Sequence, residues 1–379
     1  MTPPSTRRGV RPLTVVLVVA LVLTLGVASY VLRATNPPSA FDPASAPVPV
    51  AAEAAPPEVT VDRTIATGLT SPWGLAFLPD GSALVGERDT GRVLRVPTDG
   101  GRPAKVGTVD GVLAVGEGGL LGLAVPPGPD PGVVLAYLTT ATDNRVVRLA
   151  WDGEALGEQV PILTGIPANT FHNGGRLLAL PDGTVLVSTG DAGLPSTAQE
   201  PASLAGKILR ITIDGEPAPD NPDPESPMYS LGHRNVQGLA IDSAGRVWAS
   251  EFGAGDADEL NQIRPGANYG WPVHEGAAAD SGYADPAAQW SPTSVASPSG
   301  IAILDDIAYV ASLRGEVLWQ VPLVGDGAAA PIGLDLGDLG RLRTVAVAPD
   351  GALWLITSNT DGRGSPRADD DRILRLALS

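Results

Sequence analysis

The sequence predicts an all-β fold, a six-bladed β-propeller, for residues 59–379. Short apolar, β-like runs follow one another through this region, separated by Gly, Pro, Asp and Asn. The chain contains 46 Gly and 37 Pro, so turns are frequent and long helical patterns are hard to find. A weak internal repeat recurs at intervals of roughly 45–60 residues, the size of a four-stranded blade. A β-sandwich is the alternative, but six similar units are better explained by repetition around a ring.

Each copy of the repeat has an apolar strand, a tight turn often spelled Pro-Asp-Gly, and a second apolar strand. Asp and Gly tolerate the backbone angles of such a turn, so each copy predicts a hairpin. The copies begin at Pro72, Gly118, Gly174, Val236, Pro298 and Leu342.

The N-terminal segment predicts a single membrane anchor. Residues 13–32 are apolar and uncharged, and twenty residues at about 1.5 Å each span a hydrocarbon core of about 30 Å. Residues 1–12 carry three arginines, which predict a cytoplasmic tail and an extracytoplasmic propeller. The alternative is a signal peptide that is cleaved, which would give a secreted protein. Residues 33–58, rich in Pro and Ala, predict an extended linker.

The composition excludes several classes of function. The formal net charge is −17, and no basic stripe offsets it, so nucleic-acid binding is not expected. The chain has no cysteine, which excludes disulfides, thiolate zinc sites, iron–sulfur clusters and cysteine nucleophiles. A redox role would therefore need an organic cofactor, or a metal held by oxygen and nitrogen.

Polar residues precede several of the predicted inner strands. The inner strand of each propeller blade starts near the central channel, so these residues are expected to converge on one face. They are His172 and Arg176, then His233, Arg234 and Asn235, and finally Arg341 and Arg343. Arg and Asn suit an anionic, carbonyl-rich planar ligand, because a guanidinium pairs bidentately with a carboxylate. The alternative is that each arginine pairs with a neighbouring acid at the rim.

The loop "SEFGAGDADELNQIRPGANYGWP", residues 250–272, is dense in Asp, Glu and Gly. Oxygen ligands of this kind suit Ca²⁺, which accepts carboxylates and backbone carbonyls in a loose geometry. The spacing differs from that of an EF-hand. A solvated acidic loop without a metal is the other interpretation.

Five motifs in order resemble one known family. They are "HNGGRL", "GHRNVQGLA", "SEFGAGDADELNQI…GANYGWP", "SLRGEV" and "GRLRTVAVAPDG". Together they are similar to the soluble-type quinoprotein sugar dehydrogenases, the glucose/sorbosone dehydrogenase family, over residues 60–378. The resemblance implies a six-bladed propeller that binds pyrroloquinoline quinone (PQQ) and Ca²⁺ at one end of its channel.

The resemblance also implies roles for individual residues. His172 matches the catalytic base, which takes the hydroxyl proton at the anomeric carbon of the sugar, and Glu117 stands where a substrate-contacting polar residue is expected. Arg234 and Asn235 match the positions that contact the quinone oxygens and the bound substrate, and Arg234 is expected to take part in catalysis. The other residues that match cofactor-binding positions are Arg314, Arg341 and Arg343. The implied calcium ligands are the carbonyls of Gly253, Ala254 and Tyr269 and the carboxylate of Glu259.

Two positions depart from the family pattern. Phe171 stands where glucose-oxidising members carry an acid, and Phe252 stands where well-known members carry a polar residue beside the cofactor. An aromatic ring at residue 252 is able to stack on a planar quinone. The sugar and the physiological electron acceptor are not named by these residues.

The resulting expectation is an exported, membrane-tethered quinoprotein dehydrogenase that oxidises an aldose sugar or a related hydroxyl compound. One alternative is a calcium-dependent lactonase on a six-bladed propeller, which would need acidic or Asn ligands around one metal in the channel. Another is a propeller without catalytic activity that binds glycans or protein partners, because a fold does not determine a function.

Overall fold

The computed structural model describes residues 56–128, 131–277 and 281–379. Over these residues the chain folds into six antiparallel sheets, which confirms the predicted six-bladed β-propeller. The innermost strands of the six sheets contact one another in cyclic order, so the blades form a closed ring.

The predicted tail and anchor, residues 1–32, lie outside the described residues, as does nearly all of the predicted linker. No helix in the described part of the chain is both long enough and apolar enough to cross a bilayer. Residues Pro56–Ser379 form one compact unit.

The first three blades follow the chain from the second strand onward. Blade 1 contains β2 (Pro72–Phe77), β3 (Ala83–Glu87), β4 (Arg92–Val96) and β5 (Ala104–Thr108). Blade 2 contains β6 (Leu120–Ala124), β7 (Val133–Thr139), β8 (Asn144–Trp151) and β9 (Leu156–Ile166). Blade 3 contains β10 (Leu177–Ala179), β11 (Thr184–Ser188), β12 (Lys207–Thr212) and β13 (Met228–Leu231).

The remaining blades complete the ring. Blade 4 contains β14 (Val236–Ile241), β15 (Val247–Glu251), β16 (Asp258–Ile263) and β17 (Ala288–Trp290). Blade 5 contains β18 (Pro298–Leu304), β19 (Ile307–Ser312), β20 (Leu318–Val324), β21 (Gly327–Ala328) and β22 (Ile332–Leu334). Blade 6 contains β23 (Leu342–Val347), β24 (Leu353–Thr357), β25 (Ile373–Leu378) and β1 (Val59–Ala66). Two short 3₁₀ helices are also present in the described residues, Pro195–Gln199 and Thr293–Val295.

Strand β1 closes the ring. It pairs antiparallel with the last strand, β25, so that one sheet contains both ends of the described chain. Glu58 and Ser379 extend this pairing by exchanging two backbone hydrogen bonds of 3.0 Å. The sixth blade therefore combines the first and last strands of the described chain, with β1 as its outermost strand.

In the Pro-Asp-Gly turns, the aspartate side chain stabilises the turn by hydrogen bonds to the residue two positions later. At residues 181–184, the Asp182 carboxylate accepts the backbone N–H of Thr184 at 2.9 Å and its hydroxyl at 2.6 Å. Gly183 adopts a φ of +84°, which side-chain-bearing residues rarely adopt. The same aspartate-to-backbone hydrogen bond occurs between Asp80 and Ser82. In blades 1, 3 and 6 these turns join the inner strand to the next strand of the blade, as the sequence predicts.

The apolar core lies between neighbouring blades. One cluster, for example, combines Leu75 and Val85 of blade 1 with Trp354 and Ile373 of blade 6. Inner strands approach so closely that they require glycine. A Cβ on Gly122 would lie 2.2 Å from the Gly175 carbonyl oxygen of the next blade, which explains the glycine of the "GLA" repeat.

Candidate active site

A cavity of about 310 Å³ opens at the end of the channel where the inner strands begin. Phe252 lines this cavity together with seven residues that the sequence selects as site residues: Glu117, His172, Arg234, Gly253, Ala254, Arg314 and Arg341. Arg343 and Glu117 line a smaller, adjoining cavity above Trp73. Residues that are distant in the sequence therefore converge at one mouth of the channel, as the propeller geometry predicts.

His172 is held in an unusual backbone conformation before strand β10. Its φ is +57°, in the left-handed region that few residues other than glycine adopt. The backbone fits there because Gly190 lies directly against it, where a Cβ would come within 1.9 Å of the His172 carbonyl oxygen. The same carbonyl accepts the backbone N–H of Ala192 at 3.1 Å.

Asp191 orients the imidazole of His172. The Nδ1 atom of His172 lies 2.7 Å from Asp191 Oδ1, and the other carboxylate oxygen accepts Trp271 Nε1–H at 2.8 Å. Burial by itself would raise the pKa of Asp191, but hydrogen bonds from His172 and Gly193 hold it below its ordinary value. An ionised carboxylate only accepts hydrogen bonds, so in the neutral imidazole Nδ1 carries the proton and Nε2 carries the lone pair. This arrangement is suited to a general base.

Glu117 connects His172 to a loop of blade 6. One carboxylate oxygen accepts the backbone N–H of His172 at 2.9 Å, and the other accepts Nη1–H of Arg363 at 2.9 Å. The Arg363 side chain is 56% exposed and lines the same cavity. Glu117 therefore lines the same cavity as His172, where it is able to accept a hydrogen bond from a ligand hydroxyl.

Arg341 and Arg343 share one carboxylate. Asp361 Oδ2 lies 3.0 Å from Nη2 of Arg341 and 3.5 Å from Nη2 of Arg343, so both side chains leave the strand on the same side. Burial lowers the pKa of Arg343 to about 9, although the neighbouring Asp361 counteracts this change. One acid serves two guanidinium groups here, which leaves an excess of positive charge at the cavity.

Several cationic donors at the cavity have no acceptor. The buried Nε atoms of Arg234 and Arg343 have no hydrogen-bond partner among the described residues. Arg314 is exposed, lines the cavity, and makes no hydrogen bond or ion pair with another described residue. Unpaired donors in a buried, positively charged site favour an anionic ligand that brings its own acceptor oxygens.

Asn235 is fully buried and supports the backbone around the site. Its Oδ1 accepts the N–H of Gly174 at 3.0 Å, while its Nδ2 has no partner in the described part of the chain. Glu251 accepts the backbone N–H groups of both Arg234 and Asn235. The structure thus places Asn235 behind the cavity residue Arg234, with both N–H donors of its side-chain amide free.

The four residues selected as calcium ligands divide between two places. Gly253, Glu259 and Tyr269 line a small pocket of about 10 Å³, whereas Ala254 lines the main cavity together with Gly253. No cluster of three or more His, Asp or Glu side chains in the described residues has the arrangement of a metal site. The small pocket is nevertheless rich in acids, since Glu251 and Glu275 also line it.

Glu259 is a buried acid beside a second acid. Its Oε2 accepts Nδ2–H of Asn261 at 2.9 Å, and the same amide lies 3.5 Å from Glu251 Oε2. Burial, and next the neighbouring Glu251, raise the pKa of Glu259 to about 7. A cation in this pocket would relieve both effects.

The two phenylalanines that depart from the family pattern both border the site. The Phe171 side chain is 40% exposed, and its ring meets the His172 ring edge-to-face at 4.7 Å. Phe252 lines the cavity, and its carbonyl accepts Nη1–H of Arg234 at 3.2 Å.

Sequence reasoning did not select three residues that complete the site. Asp191 is the last residue of "VSTGD", a run that begins in strand β11 and ends three residues after it. An acidic residue at the end of a predicted strand is the sequence signal that could have identified Asp191. Asp361 and Arg363 belong to a polar loop whose contact with blade 2 is made only by closure of the ring.

Comparison with known proteins identifies the same family. The family model described as "Glucose / Sorbosone dehydrogenase" matches residues 69–374. The PQQ-bound aldose sugar dehydrogenase (Adh) of Streptomyces coelicolor is 52% identical, with a TM-score of 0.82 over 86% of this chain and 100% of that chain.

Two further relatives are similar in sequence. The uncharacterized protein slr1608 of Synechocystis sp. is 35% identical over 78% of this chain and 83% of its own length. Quinoprotein glucose dehydrogenase B of Acinetobacter calcoaceticus is 33% identical over 59% of this chain and 54% of its own length. With the family model covering most of the propeller, this chain belongs to the glucose/sorbosone dehydrogenase family of quinoproteins.

Proposed function

We propose that the protein is a PQQ-dependent dehydrogenase that oxidises an aldose at its anomeric carbon. The observation that carries the proposal is the pairing of His172 with Asp191 at the edge of an arginine-rich cavity. The bound cofactor of the Streptomyces coelicolor relative supports the choice of PQQ. PQQ fits the residues present, because its carboxylates and quinone oxygens would accept hydrogen bonds from the unpaired donors of Arg234, Arg314 and Arg343.

The residues of the chain have distinct roles in this reaction. PQQ, when bound, supplies an acceptor for the hydride that leaves the anomeric carbon. His172 Nε2 takes the proton of the anomeric hydroxyl, and the Asp191 carboxylate stabilises the imidazolium that results. Glu117 accepts a hydrogen bond from another sugar hydroxyl and so orients the ring beside His172.

The first experiment is calorimetric titration of PQQ into the purified full-length chain, followed by an assay of aldose-dependent reduction of an artificial electron acceptor. The His172→Gln variant should bind PQQ as tightly as the natural protein while turnover falls by roughly 10²- to 10⁴-fold. Failure of PQQ to bind would overturn the proposal. PQQ-independent lactone hydrolysis would instead support a lactonase, and sugar binding without turnover would support a binding module.

We also propose a Ca²⁺ site that uses Glu259 and the carbonyls of Gly253, Ala254 and Tyr269. The acidic small pocket beside the cavity supports it, because Ca²⁺ favours carboxylate and carbonyl oxygens. At 100 times its dissociation constant, Ca²⁺ should stabilise the fold by about 2.7 kcal/mol. Thermal unfolding in Ca²⁺ and in EDTA measures this difference. Glu259→Gln should abolish the Ca²⁺ effect, whereas Glu158→Gln, a change at an exposed acid of strand β9, should preserve it.

We further propose that residues 13–32 tether the propeller to the outer face of the cytoplasmic membrane. The run of uncharged apolar residues after three arginines supports this orientation. The full-length chain should remain in the membrane fraction after alkaline washing, and a protease added outside the membrane should digest the propeller. Recovery of the chain in the soluble fraction, cut near residue 32, would favour a cleaved signal peptide.

A further inference from the structure

A second cavity, of about 270 Å³, opens at the other end of the channel. The catalytic cavity is lined by loops that precede the inner strands, whereas the second cavity is lined by the later residues of those strands. Its wall is apolar, and Leu75, Leu239, Ile301 and Val345 come from four different blades. We call this cavity the distal funnel.

Arg176 is the cationic residue lining the distal funnel, and it is buried to all but 7% of its surface. It has no carboxylate within 4.0 Å among the described residues, in contrast to Arg341 and Arg343, which share Asp361. Its Nε donates to the Gln237 carbonyl at 2.8 Å, and its Nη2 donates to Thr344 Oγ1 at 3.1 Å. Its Nη1 donates no hydrogen bond to a described residue.

The local charge around Arg176 is not balanced. Its guanidinium carbon lies 4.2 Å above the Trp73 ring, and the guanidinium of Arg343 lies 5.7 Å from the same ring centroid. Burial, and next the charge of Arg343, lower the pKa of Arg176 to about 9. A buried cation without a counter-ion is costly, and an anion that enters the funnel would remove that cost.

We propose that the distal funnel binds an aliphatic carboxylate, with the carboxylate on Arg176 and the hydrocarbon chain along the apolar wall. A guanidinium pairs with a carboxylate through short, charge-assisted hydrogen bonds. A small number of polar groups at the end of an apolar concavity is the usual form of a small-ligand site. At about 30 Å³ for each water-sized group, the funnel has room for roughly nine such groups. A carboxylate of about six carbons therefore matches its size.

The ligand series tests the chemistry of the funnel on the natural protein. Hexanoate, hexanol and acetate are titrated calorimetrically into the full-length chain. Hexanoate should bind at least about 10-fold more tightly than either of the others, because it alone satisfies both the guanidinium and the apolar wall. Equal affinity for hexanoate and hexanol, or no binding of hexanoate, would overturn the proposal.

Two variants locate the bound ligand. Arg176→Gln removes the cation, and Ala346→Phe fills the funnel with a bulkier side chain while leaving the cation in place. Each should weaken hexanoate binding at least about 10-fold. Arg210→Gln is the matched control, since Arg210 also lies over an aromatic ring, that of Tyr229, but pairs with Asp182 outside the channel. Unchanged hexanoate affinity in both Arg176→Gln and Ala346→Phe would place the ligand elsewhere and refute the proposal.

Discussion

At the scale of single residues, the candidate site depends on what each polar side chain is paired with. His172 is one of three histidines, and its chemistry follows from Asp191, which holds the proton on Nδ1. Glu117 is placed by the backbone of His172 and by Arg363. Arg341 and Arg343 share one acid, so the cavity retains positive charge. The chemistry available to each of these side chains is therefore set by the residue with which it pairs.

Replacing Asp191 by Asn should remove the base without removing the imidazole. The Asn side chain is able to donate to Nδ1, which moves the ring proton to Nε2 and leaves no lone pair for the substrate proton. We expect kcat to fall by roughly 10²- to 10⁴-fold in steady-state dye reduction. Asp350→Asn, at a surface acid that pairs with Arg375, should leave kcat unchanged. A wild-type kcat for Asp191→Asn would contradict the assigned orientation of His172.

Asp191 should also make stability depend on pH. Its pKa is lower in the folded chain than its ordinary value of 3.8, so the ionised form stabilises the fold. That contribution is present above about pH 3.8 and is lost as the pH falls through the folded-state pKa. The difference in unfolding free energy between the natural protein and Asp191→Asn should therefore shrink below about pH 3.8 in urea titrations. If this difference in unfolding free energy increased on acidification, the lowered pKa of Asp191 would be contradicted.

At the scale of elements, the ring of blades depends on two features: the inner strands approach one another closely, and β1 completes the sixth blade. Gly238, like Gly122, has no space for a side chain, because a Cβ there would lie 2.3 Å from the Ser299 carbonyl oxygen of the next blade. Strand β1 buries only part of its length, with Ile65 3% exposed and Val61 38% exposed. The closing strand is thus held by a few buried side chains in addition to its pairing with β25.

Truncating one of the buried side chains of β1 should weaken the closure. Ile65→Ala leaves a cavity in the cluster between blades 6 and 1, at a cost of about 2–5 kcal/mol in unfolding free energy. Val61→Ala on the same strand should change stability by less than about 0.5 kcal/mol, because the side chain is exposed. Equilibrium urea unfolding measures both values. Equal effects of the two substitutions would indicate that β1 does not pack as described.

At the scale of the whole molecule, the ring collects charge that the sequence distributes over many blades. The chain carries a net charge of −17, yet arginines from blades 4, 5 and 6 meet at one mouth of the channel. Arg176 and Trp73 lie between this mouth and the distal funnel. The two ends of the channel therefore differ in chemistry: several arginines line one end, whereas mostly apolar side chains surround the single cation Arg176 at the other.

Burial should order the rates of amide hydrogen exchange within each blade. The second strands, such as β3, β11 and β15, are buried at every position, whereas nearly all residues of the outer strands β5 and β9 are exposed or half-buried. Exchange followed by mass spectrometry should be slowest in the second strands and fastest in the outer ones. Faster exchange in β3 and β11 than in β5 and β9 would contradict the blade order.

The sequence alone determined the propeller, because paired apolar strands joined by tight turns act locally and recur six times along the chain, with the turn spelled Pro-Asp-Gly in three of the copies. The position of polar residues before the inner strands also predicted that His172, Arg234 and Arg341 meet at one mouth of the channel. The same prediction was wrong for Arg176, which lines the distal funnel, and for His233, which is fully buried. The N-terminal anchor remains a prediction, since residues 13–32 lie outside the described part.

Only the tertiary structure decided which side chains pair with one another in the site. Asp191 pairs with a histidine 19 residues away, and Arg363 pairs with an acid 246 residues away. Such contacts arise from ring closure and from the exact packing of neighbouring blades, which no local pattern encodes. For the same reason the sequence marked Arg176 as a channel residue but did not reveal that it lacks a counter-ion, because that depends on every group that the fold brings near it.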